Sequence, residues 1–298
     1  MVTPPQSPSS PDWTVLKILQ WTTQYFESHG IDSPRLTAEL LLAHALGTTR
    51  LTLYLQHDQP LSASERAAFK HLIQRRLRRE PVAYILGKKG FWNLDLDVSP
   101  EVLVPRADTE TLVETALEVI PARTDGSCWT ILDAGTGSGA IVLSIASERK
   151  GHRYIATDRS MAALRMARKN AEKVGIDGVL WGCVDWLDAF GFRSLDMVVS
   201  NPPYIPSADI DRLEPEVSRY EPRPALDGGR DGLDAIRKIV ADAPRVLRPS
   251  GWLILEIGWN QGGAVQALIE AAGCFEDIRI RKDLGGMDRV VVARCVRA

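Results

Sequence analysis

The run Ser200-Asn201-Pro202-Pro203-Tyr204-Ile205-Pro206 ends a string of strand-forming residues on a single carboxamide. Pro202 and Pro203 remove backbone N–H donors and stiffen the chain. Asn201 therefore stands at the tip of the preceding strand. Its side chain offers an acceptor oxygen and a donor NH₂, and the Pro202 carbonyl adds a second acceptor. Together they form a fork suited to a planar NH₂ group, with Tyr204 available to stack on a flat π-system. The bland alternative is a rigid turn, because Asn-Pro commonly opens one.

A second chemical signal lies upstream. Leu132-Asp133-Ala134-Gly135-Thr136-Gly137-Ser138-Gly139-Ala140 follows an apolar strand and opens a helix. Its glycines let the backbone turn tightly and approach a ligand closely. Gly135-x-Gly137-x-x-Ala140 satisfies the dinucleotide pattern and so admits a nicotinamide cofactor. The alternation D-x-G-x-G-x-G looks more like the S-adenosylmethionine loop of methyltransferases. Asp158 ends the next strand, where a carboxylate can accept from ribose hydroxyls. Trp186, after the third strand, can lie over an adenine ring, and Asp185 can accept from its amino group. A tryptophan capping the core is an equal alternative. With a methyl sulfonium beside Asn201, the fork acquires a purpose. Amide and exocyclic nitrogens are poor nucleophiles, and attack on the methyl group develops positive charge on the nitrogen. Preplaced acceptor oxygens stabilise that charge.

The elements that must position these groups follow from periodicity. From about Thr109 the pattern runs strand then helix repeatedly, which implies a mainly parallel α/β sheet of the Rossmann-like kind. The segment Asp196 to Ser200 forms its fourth strand, beside the first, so Asn201 sits next to the glycine loop. A terminal pair of strands around Gly285-Gly286 adds an antiparallel edge. Residues 12–83 read as a small helical bundle. Its helices cover 12–30, ending at Gly30; 33–47, with Ser33 as N-cap and Pro34 at the first position; and 62–80, with Ser62 and Glu65 as a capping box. Residues 84–105 read as a β-hairpin linker in which Gly87 and Gly90 supply turns. Residues 106–298 form the catalytic domain, and residues 1–11, rich in proline and serine, a disordered tail. The basic run 75–79 reads as a solvated helix face near a C-terminus.

The 298 residues carry a formal net charge of −2 with 45% hydrophobic and 25% charged side chains. A chain devoted to gripping nucleic acid is usually basic, so stable nucleic-acid binding is not expected. The four cysteines are scattered without zinc spacing, which fits a reducing compartment and no metal. No apolar run reaches the length of a membrane span and no signal pattern opens the chain, so a cytoplasmic protein is expected.

Taken together, these segments resemble the HemK/PrmC family, the protein-glutamine N5-methyltransferases that modify peptide chain release factors. Beyond the glycine loop and the Asn-Pro-Pro-Tyr run, the likeness includes residues 102–117, 221–239, 253–262 and 282–291. The family pattern departs at three places. Ala107 stands for a proline, Ala134 for a leucine, and Gly90-Phe91-Trp92-Asn93 for Glu-Phe-Tyr-Gly. The resemblance implies that Gly135, Thr136, Gly137, Ser138 and Gly139 wrap the methionine end of S-adenosylmethionine. Asp158 takes the ribose, and Trp186 lines the adenine site. Asn201, Pro202, Pro203 and Tyr204 hold the substrate amide, with Asn201 also near the methyl donor. The helical domain docks the substrate, and the partner is a class I release factor with its Gly-Gly-Gln glutamine. A DNA or RNA exocyclic-amino methyltransferase is the alternative. A nicotinamide oxidoreductase leaves Asn201 to Tyr204 without a role, and an intact loop beside an intact Asn201 speaks against a non-catalytic module.

Overall fold

The computed structural model describes residues 13–121 and 128–296; the tail expected over 1–11 lies outside them. The chain divides into two units between Leu86 and Gly87.

The smaller unit is helical: α1 Val15–Ser28, α2 Pro34–Ala45, α3 Arg50–Leu55, α4 Ala63–Leu77 and α5 Val82–Leu86. Phe26, Leu41, Leu42 and Phe69 are fully buried at its centre, each contributing about 1.5–3 kcal/mol. The capping box at α4 forms as expected: Ser62 Oγ accepts from Glu65 N at 3.2 Å, and Glu65 Oε2 accepts from Ser62 N at 2.7 Å. The Ser33 cap does not form. Ser33 adopts a left-handed φ of 46° and makes no side-chain cap bond; instead the Thr37 hydroxyl donates to the Asp32 carbonyl. The helices α3 and α5 are too short to show a periodicity in sequence. Much of the basic run is internal scaffolding: Arg75 pairs with Glu80 at 2.5 Å, and Arg79 donates to the Gly30 carbonyl at 2.6 Å.

The larger unit opens with the hairpin β1 Lys88–Phe91 and β2 Leu94–Asp97. Gly90 lies inside β1, paired with Asp95, so it does not make the turn. Trp92 turns the chain instead, at φ 54°. Its N–H donates to Glu110 and its indole to Glu148, which offset the cost of that backbone. After the hairpin come α6 Glu110–Val119, β3 Thr130–Ala134, α7 Ala140–Glu148, β4 Arg153–Asp158, α8 Met161–Val174, β5 Leu180–Cys183, β6 Leu195–Ser200, α9 Pro215–Ser218, α10 Asp234–Val246, β7 Leu247–Glu256, α11 Gly262–Ala271, β8 Phe275–Lys282 and β9 Asp288–Cys295.

The seven-stranded sheet has the order β5-β4-β3-β6-β7-β9-β8. The five strands from β5 to β7 are parallel, and β9 and β8 continue antiparallel. This is the doubly wound α/β arrangement, with β6 beside β3 as the sequence implies. Alternate side chains of one strand enter opposite faces. Ile131, Met197 and Ile254 join the cluster under α6 and α7, while Leu132, Val198 and Leu253 join the cluster under α10 and α11. Strands buried on both sides explain the nearly continuous apolar runs in the sequence.

Candidate active site

The five-residue turn after β3 holds its glycines at φ 78° (Gly135), 56° (Gly137) and 84° (Gly139). Each is required for a different reason. A Cβ on Gly135 would stand 3.2 Å from the Trp186 ring, and one on Gly139 would stand 3.1 Å from Leu143 and 3.2 Å from Ala167. Nothing lies within 4 Å of a Cβ on Gly137; it is needed for its backbone angle. The turn is pinned from β4. The Thr157 carbonyl accepts from Gly135 N and Thr136 N, both at 2.8 Å. Asp158 accepts from Gly137 N at 3.0 Å and from Ser160 N at 2.8 Å. Beneath the loop Asp133 is fully buried, accepting from the Thr136 hydroxyl at 2.7 Å and from Val142 N at 3.2 Å. Burial pushes its carboxyl up to about 7 against those two hydrogen bonds. Its Oδ1 has no hydrogen-bond partner among the described residues.

Trp186 sits at φ 49°, a backbone angle a bulky residue rarely accepts, with its ring against Gly135. Asp185 beside it accepts from Lys238 of α10 at 2.6 Å, and Asp188 accepts from the same ammonium at 3.2 Å.

At the end of β6 the Ser200 hydroxyl donates to the Ala134 carbonyl at 2.6 Å. This places Asn201 beside the glycine turn. Asn201 Nδ2 donates to Thr109 Oγ1 at 3.2 Å. Asn201 and Pro203 line a cavity of about 670 Å³ together with Gly135, Gly137, Asp158 and Trp186. Thr136, Ser138, Asp185 and Lys238 also reach it. Gly139, Pro202 and Tyr204 are not among its lining residues. The Tyr204 hydroxyl instead donates to Glu256 Oε1 at 3.2 Å, and its backbone carbonyl accepts from Gln261 at 2.9 Å. Burial and the neighbouring Glu256 push its phenol up.

Sequence reading missed the second layer. Glu221, buried, accepts from Arg106 and from Val104 N, joining the strap before α6 to the loop before α10. Glu256 is fully buried at the end of β7, and burial pushes it up to about 7 against the pull of Thr109, Arg289 and Tyr204. One signal was available: a lone acid in Leu253-Ile254-Leu255-Glu256-Ile257, a run otherwise wholly apolar.

The cavity fits S-adenosylmethionine. Its volume is within the range of small-molecule sites, the glycine turn leaves backbone open to it, and Asp158 and Trp186 flank that turn.

Comparison with known proteins agrees. Residues 17–87 match the PrmC N-terminal domain, and residues 109–212 match the methyltransferase small domain. A release factor glutamine methyltransferase from Geobacter sulfurreducens is 43% identical over 95% of this chain and 97% of its own length. The chain belongs to the release factor glutamine methyltransferases. A further family member, from Pseudomonas aeruginosa, is 47% identical over 88% of this chain and 94% of its own length. A methyltransferase structure from Pyrococcus furiosus shares the fold of these methyltransferases at TM-score 0.51 and 17% identity, over 70% of this chain and 92% of that one. No helix among the described residues is long and apolar enough to cross a membrane.

Proposed function

We propose that this enzyme moves a methyl group from S-adenosylmethionine to N5 of the glutamine side chain in the Gly-Gly-Gln loop of a class I peptide chain release factor. The observation that carries the reading is the Asn201 carboxamide. It lines the cavity beside the glycine turn, and its NH₂ is already committed to Thr109. Its oxygen is then the end offered to an incoming NH₂ group.

S-adenosylmethionine supplies an electrophilic methyl carbon on a sulfonium. Gly135, Thr136, Gly137 and Ser138 hold its methionine end, Gly139 turns the chain into α7, Asp158 accepts from its ribose, and Trp186 borders its adenine. Asn201 Oδ1 accepts from the NH₂ of the substrate amide, with Pro203 against its stem; Pro202, which does not line the cavity, stiffens the turn that presents Asn201. The Asn201 oxygen holds the nitrogen in line and opposes the positive charge it develops. The proton leaves after transfer, so no base is required early. Tyr204 acts here by holding the turn, through Glu256 and Gln261. In this reading the smaller helical unit docks the release factor. The scattered free cysteines support a cytoplasmic setting, and the slightly acidic net charge supports a protein rather than a nucleic-acid partner.

The test is methyl transfer from labelled S-adenosylmethionine to intact release factor, to the same factor with its loop glutamine changed to alanine, and to total RNA and DNA. Label in the intact factor alone is expected. Label in nucleic acid instead would mean that the same acceptor serves a base amino group.

A further inference from the structure

The Asn201 amide does not orient itself. Its NH₂ donates to Thr109 Oγ1; Thr109 stands beside the buried Glu256 carboxylate and favours its charged form, and Glu256 Oε2 has no hydrogen-bond partner among the described residues. Glu256 also receives the Tyr204 hydroxyl, so both ends of the Asn201-to-Tyr204 turn lead to one acid. We propose that Glu256 is a positioning residue for methyl transfer, acting through Thr109 to keep Asn201 Oδ1 facing the substrate amide. This deepens the function proposed above and rests on it.

The chemistry follows from what each state of the acid can accept. As a carboxylate, Glu256 accepts the Thr109 proton. Thr109 Oγ1 then presents a lone pair to Asn201, and only the NH₂ end of the amide satisfies it. As a carboxylic acid, Glu256 donates to Thr109 instead. The hydroxyl proton then turns toward Asn201, the amide flips, and its NH₂ meets the substrate NH₂. Two donors face each other and the acceptor is lost.

The charged and titratable groups around the acid are Arg289 of β9, Asp108 before α6, and Tyr204. Arg289 pairs with Asp283 at 3.0 Å and with Asp108 at 3.3 Å, so it favours the carboxylate without bonding it directly. Arg106 and Arg289 also act on Tyr204.

The experiment compares kcat, KM for release factor and the dissociation constant of S-adenosylmethionine across pH 6 to 9. The variants are Glu256→Gln, Thr109→Ser, Thr109→Val and the double variant Glu256→Gln/Thr109→Val. Wild type is expected to lose kcat on the acid side with an inflection near 7. Glu256→Gln is expected to lose roughly 10- to 100-fold in kcat, to lose that acid limb, and to bind S-adenosylmethionine within about twofold of wild type. Thr109→Val should match it, the double variant should be no worse than either single change, and Thr109→Ser should recover most of the rate. A Glu256→Gln enzyme with full kcat, or with the acid limb retained, overturns the proposal. So does an additive double variant. If Glu256→Gln fails to fold, equal rates for Thr109→Val and Thr109→Ser overturn it alone. Wild-type inactivity on release factor would overturn the function reading instead, and the same variants would be compared on whichever acceptor takes label.

Discussion

The bond from Asn201 Nδ2 to Thr109 Oγ1, 3.2 Å long, joins the end of β6 to the turn that opens α6. It assigns the two ends of a side chain that is otherwise nearly symmetric in shape. One end is spent inside the protein, and the other is left for the cavity.

Asn201→Ala is expected to lower turnover by about 10²- to 10³-fold, the usual effect of removing one preplaced polar group from charge stabilisation. Binding of S-adenosylmethionine should be nearly unchanged, because the glycine turn is held from β4. Single-turnover methyl transfer and calorimetric titration check the two halves; near-wild-type turnover would remove Asn201 from the mechanism.

For Asp158→Ala, the dissociation constant of S-adenosylmethionine is expected to rise at least roughly 10-fold. The proposed ribose acceptor is lost, and Gly137 N and Ser160 N lose their partner as well. An unchanged constant would sink the ribose assignment.

Gly135→Ala combines a φ of 78° with a Cβ 3.2 Å from the Trp186 ring. The backbone alone costs about 1–2 kcal/mol. The variant should fold, bind S-adenosylmethionine about 10-fold or more weakly, and show altered tryptophan emission. Emission and affinity both equal to wild type would show that the ring does not depend on the glycine.

Asp133 predicts a pH dependence of stability. Its folded carboxyl sits at about 7 against an ordinary value of 3.8, so the folded state holds the proton more tightly than the unfolded chain. Stability from this group is therefore fully present below about pH 4 and lost as pH rises toward 7, by an amount on the order of 4 kcal/mol. Urea unfolding at pH 5 and pH 8 should show Asp133→Asn losing less stability than wild type over that interval. A parallel fall in both proteins would mean that the acid is already ionised in the folded state.

Much of this was legible in the sequence because it depends on local backbone rules. The glycine spacing, the alternation of strands and helices, and the Asn-Pro-Pro step each carry their own conformational meaning. Gly90 misled because turn formers are permitted in strands, and Trp92 takes a turn angle only because Glu110 and Glu148 hold its two N–H groups. Thr109, Glu221 and Glu256 were beyond reach for another reason. Their partners are brought together by the fold, and a threonine before a helix or an acid in a loop has no local signature of such a bond. Glu256 alone left a trace, as an acid where only apolar residues otherwise stand.

The Ser200 hydroxyl bonded to the Ala134 carbonyl ties the ends of two neighbouring parallel strands. The proposed donor site grows from one of those ends and the proposed acceptor site from the other. Their separation is thus inherited from the pitch between adjacent strands, about 4.8 Å, rather than from loop conformation. Breathing of the surrounding loops would open and shut the chamber while the gauge between its two halves stayed constant. A sheet used in this way acts as a ruler, and drift in catalytic distance would require the strands themselves to part.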